Sequence, residues 1–192
     1  MASTTDQPAH TELDLASLFK RSWELFARKP VEHILAALII HVVAVLTLGI
    51  LFAPLLVGYI RLIERQRRWN EVISVGQIFH FEGSGWPAFG ASVLIALTAA
   101  VGMLFFVVPG LVILLGWGFA LWFIALDRSS ATASLGASWR LFRANLGSVV
   151  LVWIILVVLG SVGGGAALVG TLITFPLGTV FATLAFHDMR GD

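Results

Sequence analysis

The sequence predicts an all-α, polytopic membrane protein: six short transmembrane helices in three hairpins, with amphipathic helices at the membrane interface. Three observations predict it. Of 192 residues, 58% are hydrophobic and only 12% are charged, and mean hydropathy is +0.94. Three long stretches are almost free of charge: Ile34 to Ile63 holds only Arg61, and Ala88 to Leu126 and Leu146 to Phe186 hold none. Eleven of the twelve Lys and Arg lie between those stretches or outside them, and Arg61 stands near the end of the first. A soluble domain carries about 25% charged residues, so this composition excludes a soluble globular domain and a disordered chain. The formal net charge of +1 marks no nucleic-acid partner. Without cysteine, disulfides and thiol chemistry are absent, and no cofactor is expected.

Residues 1–10 read as a loose polar tail rather than a cleaved signal peptide, so the first membrane helix would be its own insertion signal. Residues 11–192 read as one membrane domain. Thr11-Glu12-Leu13-Asp14 has the form of a capping box, a hydroxyl with an acid three residues on. It opens a helical pattern to about Lys29, with Leu15, Leu18, Phe19, Ser22, Leu25 and Phe26 on one face and Asp14, Lys20, Arg21, Glu24 and Arg28 largely on the other. Such a helix lies in the membrane interface or packs on its own membrane domain.

The stretch from Ala88 to Leu126 would be about 58 Å long as one helix, against a hydrocarbon core of about 30 Å, so it must fold back. Pro109-Gly110 is the expected turn. Gly160 to Gly165 breaks the third stretch in the same way. If the first stretch is also a hairpin, with its turn near Leu48 to Phe52, all twelve cations share one side; if it is a single span, they divide four against eight. The positive-inside rule selects the hairpin and places both termini in the cytoplasm. Three hairpins that dip into one leaflet and return would give the same charge pattern.

Ser22-Trp23-Glu24-Leu25-Phe26 matches Ser138-Trp139-Arg140-Leu141-Phe142, and Pro54-Leu55 matches Pro176-Leu177. An amphipathic helix plus a hairpin therefore occurs at both ends of the chain, in 11–68 and 128–192, around a linker and hairpin in 69–127. Two membrane helices per unit leave the copies in one orientation. Several motifs together resemble a known family: Val108-Pro109-Gly110-Leu111, Trp117-Gly118-Phe119-Ala120, Leu126-Asp127, Ala137-Ser138-Trp139-Arg140-Leu141-Phe142 and Asn145. The chain resembles bacterial integral membrane proteins of unknown function related to the membrane domain found beside some glycerophosphodiester phosphodiesterases. That resemblance implies a helical domain in the bacterial cytoplasmic (inner) membrane and no established activity; nothing here matches the phosphodiesterase's catalytic domain.

No reactive constellation is visible, so a non-enzymatic protein is expected, acting by assembly with itself, with lipids or with other membrane proteins. A small transporter or transport accessory built from the two parallel repeats is the rival. Arg61, Arg65, Arg67 and Arg68, with Lys20 and Arg21, are the candidate contacts for anionic headgroups or a partner, since a cation near the surface is worth about 1 kcal/mol. His41 lies within a membrane helix and is a candidate polar site; a bond to a carbonyl or hydroxyl of a neighbouring helix is the plainer reading. Asp127 and Asp188 end two helices, Asp127 as a cap for the next helix beside Ser129 and Ser130, Asp188 meeting water beside Arg190. Gly160, Gly163 and Gly164 suit a turn or close helix packing, with the turn preferred. Pro54 and Pro176 are expected in the first turns of return helices, where proline is cheap. Trp23, Trp69, Trp86 and Trp139 fall near expected interfaces.

Overall fold

The computed structural model describes residues 13–69, 74–165 and 167–191, and every element in them is helical. Helix α1 (Leu15–Arg28) begins where the Asp14 carboxylate accepts the N–H groups of Ala16 and Ser17 at 3.1 and 3.3 Å. The acid expected to complete a capping box is therefore itself the cap, a short carboxylate being well placed to satisfy the free donors of a first turn. Thr11, Glu12 and the expected tail at 1–10 lie outside the described residues. Leu18, Ser22, Leu25 and Phe26 of α1 are buried, and the helix packs mainly on α9. So α1 covers its own protein, while Phe19 and Trp23, one turn apart, stay exposed on its flank.

Lys29 alone joins α1 to α2 (Pro30–Leu46), and the axis turns by 90° there. Pro30 opens α2, where its missing N–H costs nothing. A turn through 47–51 leads to α3 (Phe52–Trp69), and Gly49 takes the left-handed φ of 84° that it needs. Pro54 sits in the first turn of α3, as expected.

The second hairpin is α4 (Gly85–Phe105) against α5 (Val107–Trp117) and α6 (Ala120–Asp127). Its turn is tighter than Pro109-Gly110 suggested. Phe106 alone, extended at φ −159°, reverses the chain, and Pro109 and Gly110 belong to the first turn of α5. Proline is tolerated there because the first N–H groups of a helix have no internal partner. Gly110 is instead a contact residue: a Cβ on it would lie 3.0 Å from the Ala99 carbonyl oxygen of α4. The break between α5 and α6 at Gly118–Phe119 is repaired by Ser138 of α7 (Ala131–Ala144). Its hydroxyl donates to the Gly116 carbonyl at 2.8 Å and accepts the Phe119 N–H at 3.2 Å.

The third hairpin joins α8 (Leu146–Gly165) to α9 (Ala167–Arg190). The glycines expected to form a wide turn are helical. In an apolar medium, backbone groups must bond within the helix, and helix is available even to glycine. A Cβ on Gly163 would overlap the Thr174 hydroxyl and lie 3.1 Å from the Gly170 carbonyl oxygen, so it is a point of close approach between α8 and α9. Gly160 and Gly164 face open space. Pro176 is another correction: α9 starts nine residues earlier, so the proline lies in the helix interior rather than its first turn.

Among the described residues, four stretches are long and apolar enough to cross a bilayer: Gly85–Phe105, Val107–Asp127, Leu146–Gly165 and Val169–Arg190; the bent pair α1 and α2 makes a fifth if it counts as one broken span. The first hairpin is shorter, since α2 has 17 residues and α3 carries charge from Arg61 onward. Much of the outer surface is apolar, including Leu104, Phe105, Phe106, Val107 and Val108 at the tip of the second hairpin. Such a continuous apolar patch belongs against lipid rather than water. Trp23, Trp69 and Trp86 are at least half exposed, whereas the Trp139 indole packs over Gly116. Tyr59, Phe119, Phe181 and Phe186 form the heart of the core, where α3, α6 and α9 meet.

Gly163→Leu is expected to push α8 from α9 and cost about 1–3 kcal/mol, the usual penalty of overpacking. Gly164→Leu, directed into open space, should change stability by less than about 0.5 kcal/mol. Thermal unfolding of the two variants in detergent compares them directly.

Candidate functional site

The charged half of α3 is the richest polar region. Arg61, Glu64, Arg65 and Arg68 follow one another at i, i+3, i+4 and i+7, so they form one stripe on a helix whose other faces are largely apolar. Each finds a different partner. Arg61 is a clamp rather than a loose cation: Nε donates to the Ala125 carbonyl at 2.8 Å, Nη1 to the Phe81 carbonyl at 3.1 Å, and Nη2 to the Ser84 hydroxyl. Ala125 lies in the last turn of α6, whose carbonyls have no donor within the helix. One guanidinium thus ties α3 to α6 and to the segment before α4. Next to it, Gly58 lets the 3-10 turn Val75–Phe79 approach; a Cβ there would overlap the Ile78 carbonyl oxygen.

Glu64 is buried. Its carboxylate accepts Nε and Nη2 of Arg67, both at 2.9 Å, and Nε of Arg68, and meets His187 Nε2 of α9 at 2.9 Å. Burial pushes this carboxyl up, but the hydrogen bonds from His187, Arg67 and Arg68 together outweigh it and hold the group below the usual carboxylate range. Arg65 donates to Gln77 at 3.1 Å and to Glu82 at 3.4 Å, and Glu82 also accepts Arg128 at 2.6 Å. Both members of that last pair adopt left-handed backbone, Glu82 at φ 44° and Arg128 at φ 53°. A non-glycine residue there costs roughly 1–2 kcal/mol.

These side chains surround a cleft of about 250 Å³ lined by Arg61, Glu64, Arg65, Arg68, Glu82 and Arg128. Four guanidinium groups against two carboxylates leave an excess of two positive charges. The exposed indole of Trp69 stands at the same cleft. A smaller adjoining cavity of about 170 Å³ adds Gln77 and His80 to Arg61, Arg65 and Glu82. Spare guanidinium N–H groups facing such a space can chelate the oxygens of a phosphate. Among the described residues, no group of three His, Asp or Glu comes together that could hold a metal ion.

The expected basic set is thus divided. Arg61, Arg65 and Arg68 share the cleft, while Arg67 turns to another hollow with Arg21, Glu24 and Arg28. Arg21 donates to both oxygens of Asp188, so Asp188 pairs with α1 rather than standing beside Arg190. Arg190 instead binds both oxygens of Asp127 at 3.0 Å, and Ser130, not Asp127, caps α7. Lys20 is exposed on α1. His41 bonds a carbonyl, but that of Ala37 on its own helix at 2.7 Å. The sequence did not place Arg128 and Glu82 beside the arginines of α3. The charge at Arg128 right after an apolar run was the available signal, but nothing in the sequence brings it to α3, 60 residues away.

An all-helical membrane protein with a basic cleft beside α3 is the class these observations define. Residues 70–191 match the family described as a domain of unknown function (DUF7847), and the chain belongs to that family. The match covers the second and third hairpins and α7, and leaves α1 to α3 outside it. No curated protein and no solved structure matches the chain.

The Glu64 carboxyl is depressed on folding. Its contribution to stability is therefore present above the ordinary value of 4.5 and is lost as the pH falls below it towards the lower folded value. Glu64→Gln should cost about 2 kcal/mol at neutral pH and flatten the acid limb of the melting-temperature profile. A parallel acid limb in both proteins would remove Glu64 as its cause.

Proposed function

We propose that this chain is a non-enzymatic integral membrane protein that holds anionic lipid headgroups in the cleft beside α3 and works by assembly with itself, with lipids or with other membrane proteins. The observation that carries this reading is the excess of guanidinium groups around that cleft, beside an exposed Trp69. A phosphate-bearing headgroup matches the cleft in charge and donor geometry.

The proposed setting is the bacterial cytoplasmic membrane, with six membrane segments in three hairpins that all open towards the cytoplasm, and both termini there. Two ion pairs support it by gathering the charged ends: Arg21 with Asp188, and Arg190 with Asp127. The kinship with the membrane domain beside glycerophosphodiester phosphodiesterases is part of the same proposal and rests on the motifs from Val108 to Asn145. So does the internal repeat. Its support is that α1 and α7 both have 14 residues, and that single residues, Lys29 and Asn145, join them to α2 and α8.

A small transporter or transport accessory is the second reading. Pro176 inside α9 favours it, because it leaves the Leu172 carbonyl without its helical donor, as at the broken helices of some transporters. Reproducible solute flux into liposomes holding the purified protein would move this reading ahead.

Two measurements test the main proposal. Single cysteines at Ile50, Phe106 and Gly164 are expected to react with an impermeant reagent in intact cells, with Ser74→Cys protected until permeabilisation. Protection of Ile50→Cys as well would make the first hairpin re-entrant and remove the six-segment topology. For the cleft, Arg128→Gly relieves the left-handed backbone while deleting one cation. Binding to anionic vesicles should weaken about fivefold, the worth of one cation near the surface, with no loss of thermal stability. Unchanged binding to anionic vesicles would refute the headgroup site.

A further inference from the structure

A second cavity, of about 440 Å³, lies inside the apolar part of the protein, between the first and third hairpins and α6. Its volume falls within the range of about 300–1,000 Å³ that small-ligand sites occupy. Gly118 at the break between α5 and α6, Gly160 on α8 and Gly178 on α9 all line it; Gly160 leaves space that no atom fills, whereas Trp153 packs over Gly118 and Leu156 over Gly178. Phe52, Leu56, Leu121, Leu156 and Phe175 supply apolar walls. Its position along α2 is set by His41, eleven residues past Pro30 and so about 16 Å along the helix.

The polar groups at this cavity are mostly acceptors. His41 Nδ1 bonds the Ala37 carbonyl, which can only accept, so Nδ1 carries the hydrogen. In the neutral imidazole, Nε2 is then an acceptor, and no protein group meets it. The ring is held edge-on against Phe175, 4.9 Å between centroids. Two of the threonine hydroxyls have spent their hydrogens: Thr174 donates to the Gly170 carbonyl and Thr179 to that of Phe175. Thr171 is engaged as well. Trp122 Nε1 donates to Thr183; Trp153 Nε1 has no hydrogen-bond partner, but it is fully covered by protein and out of a ligand's reach. His41, Thr174, Thr179 and the two tryptophans thus offer acceptors and no open donor.

We propose that this cavity binds a long-chain aliphatic alcohol, or a lipid with such a hydroxyl-bearing chain, whose O–H donates to His41 Nε2 while the chain fills the apolar space. The donor–acceptor count selects the chemistry. A ketone or ester of the same length brings only acceptors, and an alkane brings no polar group at all. A carboxylate would bury a charge with no cation beside it, which is far more costly. The cavity is distinct from the basic cleft beside α3, with which it shares no lining residue.

The probe is a long-chain primary alcohol carrying a diazirine, photolysed with the full-length protein in nanodiscs, with labelled residues mapped by mass spectrometry. Label should concentrate on cavity-lining residues of α2, α8 and α9. The unmodified alcohol should compete at about fivefold lower concentration than the matching methyl ketone or alkane, the worth of one neutral hydrogen bond. His41→Phe keeps an aromatic ring beside Phe175 and loses only a bond within its own helix; it should erase that preference. Gly160→Leu fills the cavity from a position where an added Cβ meets nothing within 4 Å, and should suppress labelling without shifting the melting temperature. Equal competition by alcohol, ketone and alkane in the unmodified protein overturns the proposal without any variant, as does label spread evenly over the lipid-facing surface. Two clear results from the variants overturn it too: an alcohol preference that survives His41→Phe, or labelling that survives Gly160→Leu.

Discussion

The arrangement of this protein depends on one buried carboxylate. Glu64 stands at the point where α3 leaves its apolar surroundings, and it accepts from Arg67 and Arg68 of its own helix while meeting His187 of α9. A carboxylate taken from water is costly unless its oxygens are bonded on every side, so the three partners come as a set. Their arrangement pins the first hairpin to the third across 123 residues of sequence. Arg61, one helical turn earlier, does the same towards the second hairpin by bonding the Ala125 carbonyl. Both ties belong to α3, which is why that helix lies at the centre of the core although its own apolar part is short.

Away from those ties, the hairpins are held mainly by shape. Gly58, Gly110, Gly116 and Gly163 each mark a place where an added Cβ would collide with a neighbouring element. Close approach of this kind is how helices associate where lipid is as apolar as the side chains themselves. Buried polar bonds join helices within the apolar region at a few points, such as Ser138 at the break in the second hairpin and Trp122 with Thr183. Specific bonds at the charged end and glycine contacts along the hairpins divide the task of fixing one arrangement.

The same division separates the two proposed sites. The cleft beside α3 is rich in donors and positive charge, and it suits a phosphate. The cavity at His41 has no charge and open acceptors, and it suits a hydroxyl on an aliphatic chain. A single amphiphile need not reach both, and the two sets of lining residues do not overlap.

Much of the architecture was legible in the sequence, because a bilayer leaves few choices. Long uncharged stretches must be helical, and must fold back when they exceed the membrane thickness. The amphipathic face of α1, the first turn and the place of Pro54 all followed from local pattern. What the pattern could not decide were contacts between distant elements. Pro109-Gly110 and the glycine run from Gly160 read as turns, because locally they are helix breakers; they are helical because α4 and α9 lie against Gly110 and Gly163. Asp188 pairs with Arg21, and Asp127 with Arg190, for the same reason: an ion pair depends on which helix ends meet. Composition and periodicity determined by themselves that the chain is helical and apolar enough for a membrane. Only the tertiary structure decided which arginines share a cleft, and which glycines line a cavity, since both depend on side chains far apart in sequence meeting at one place.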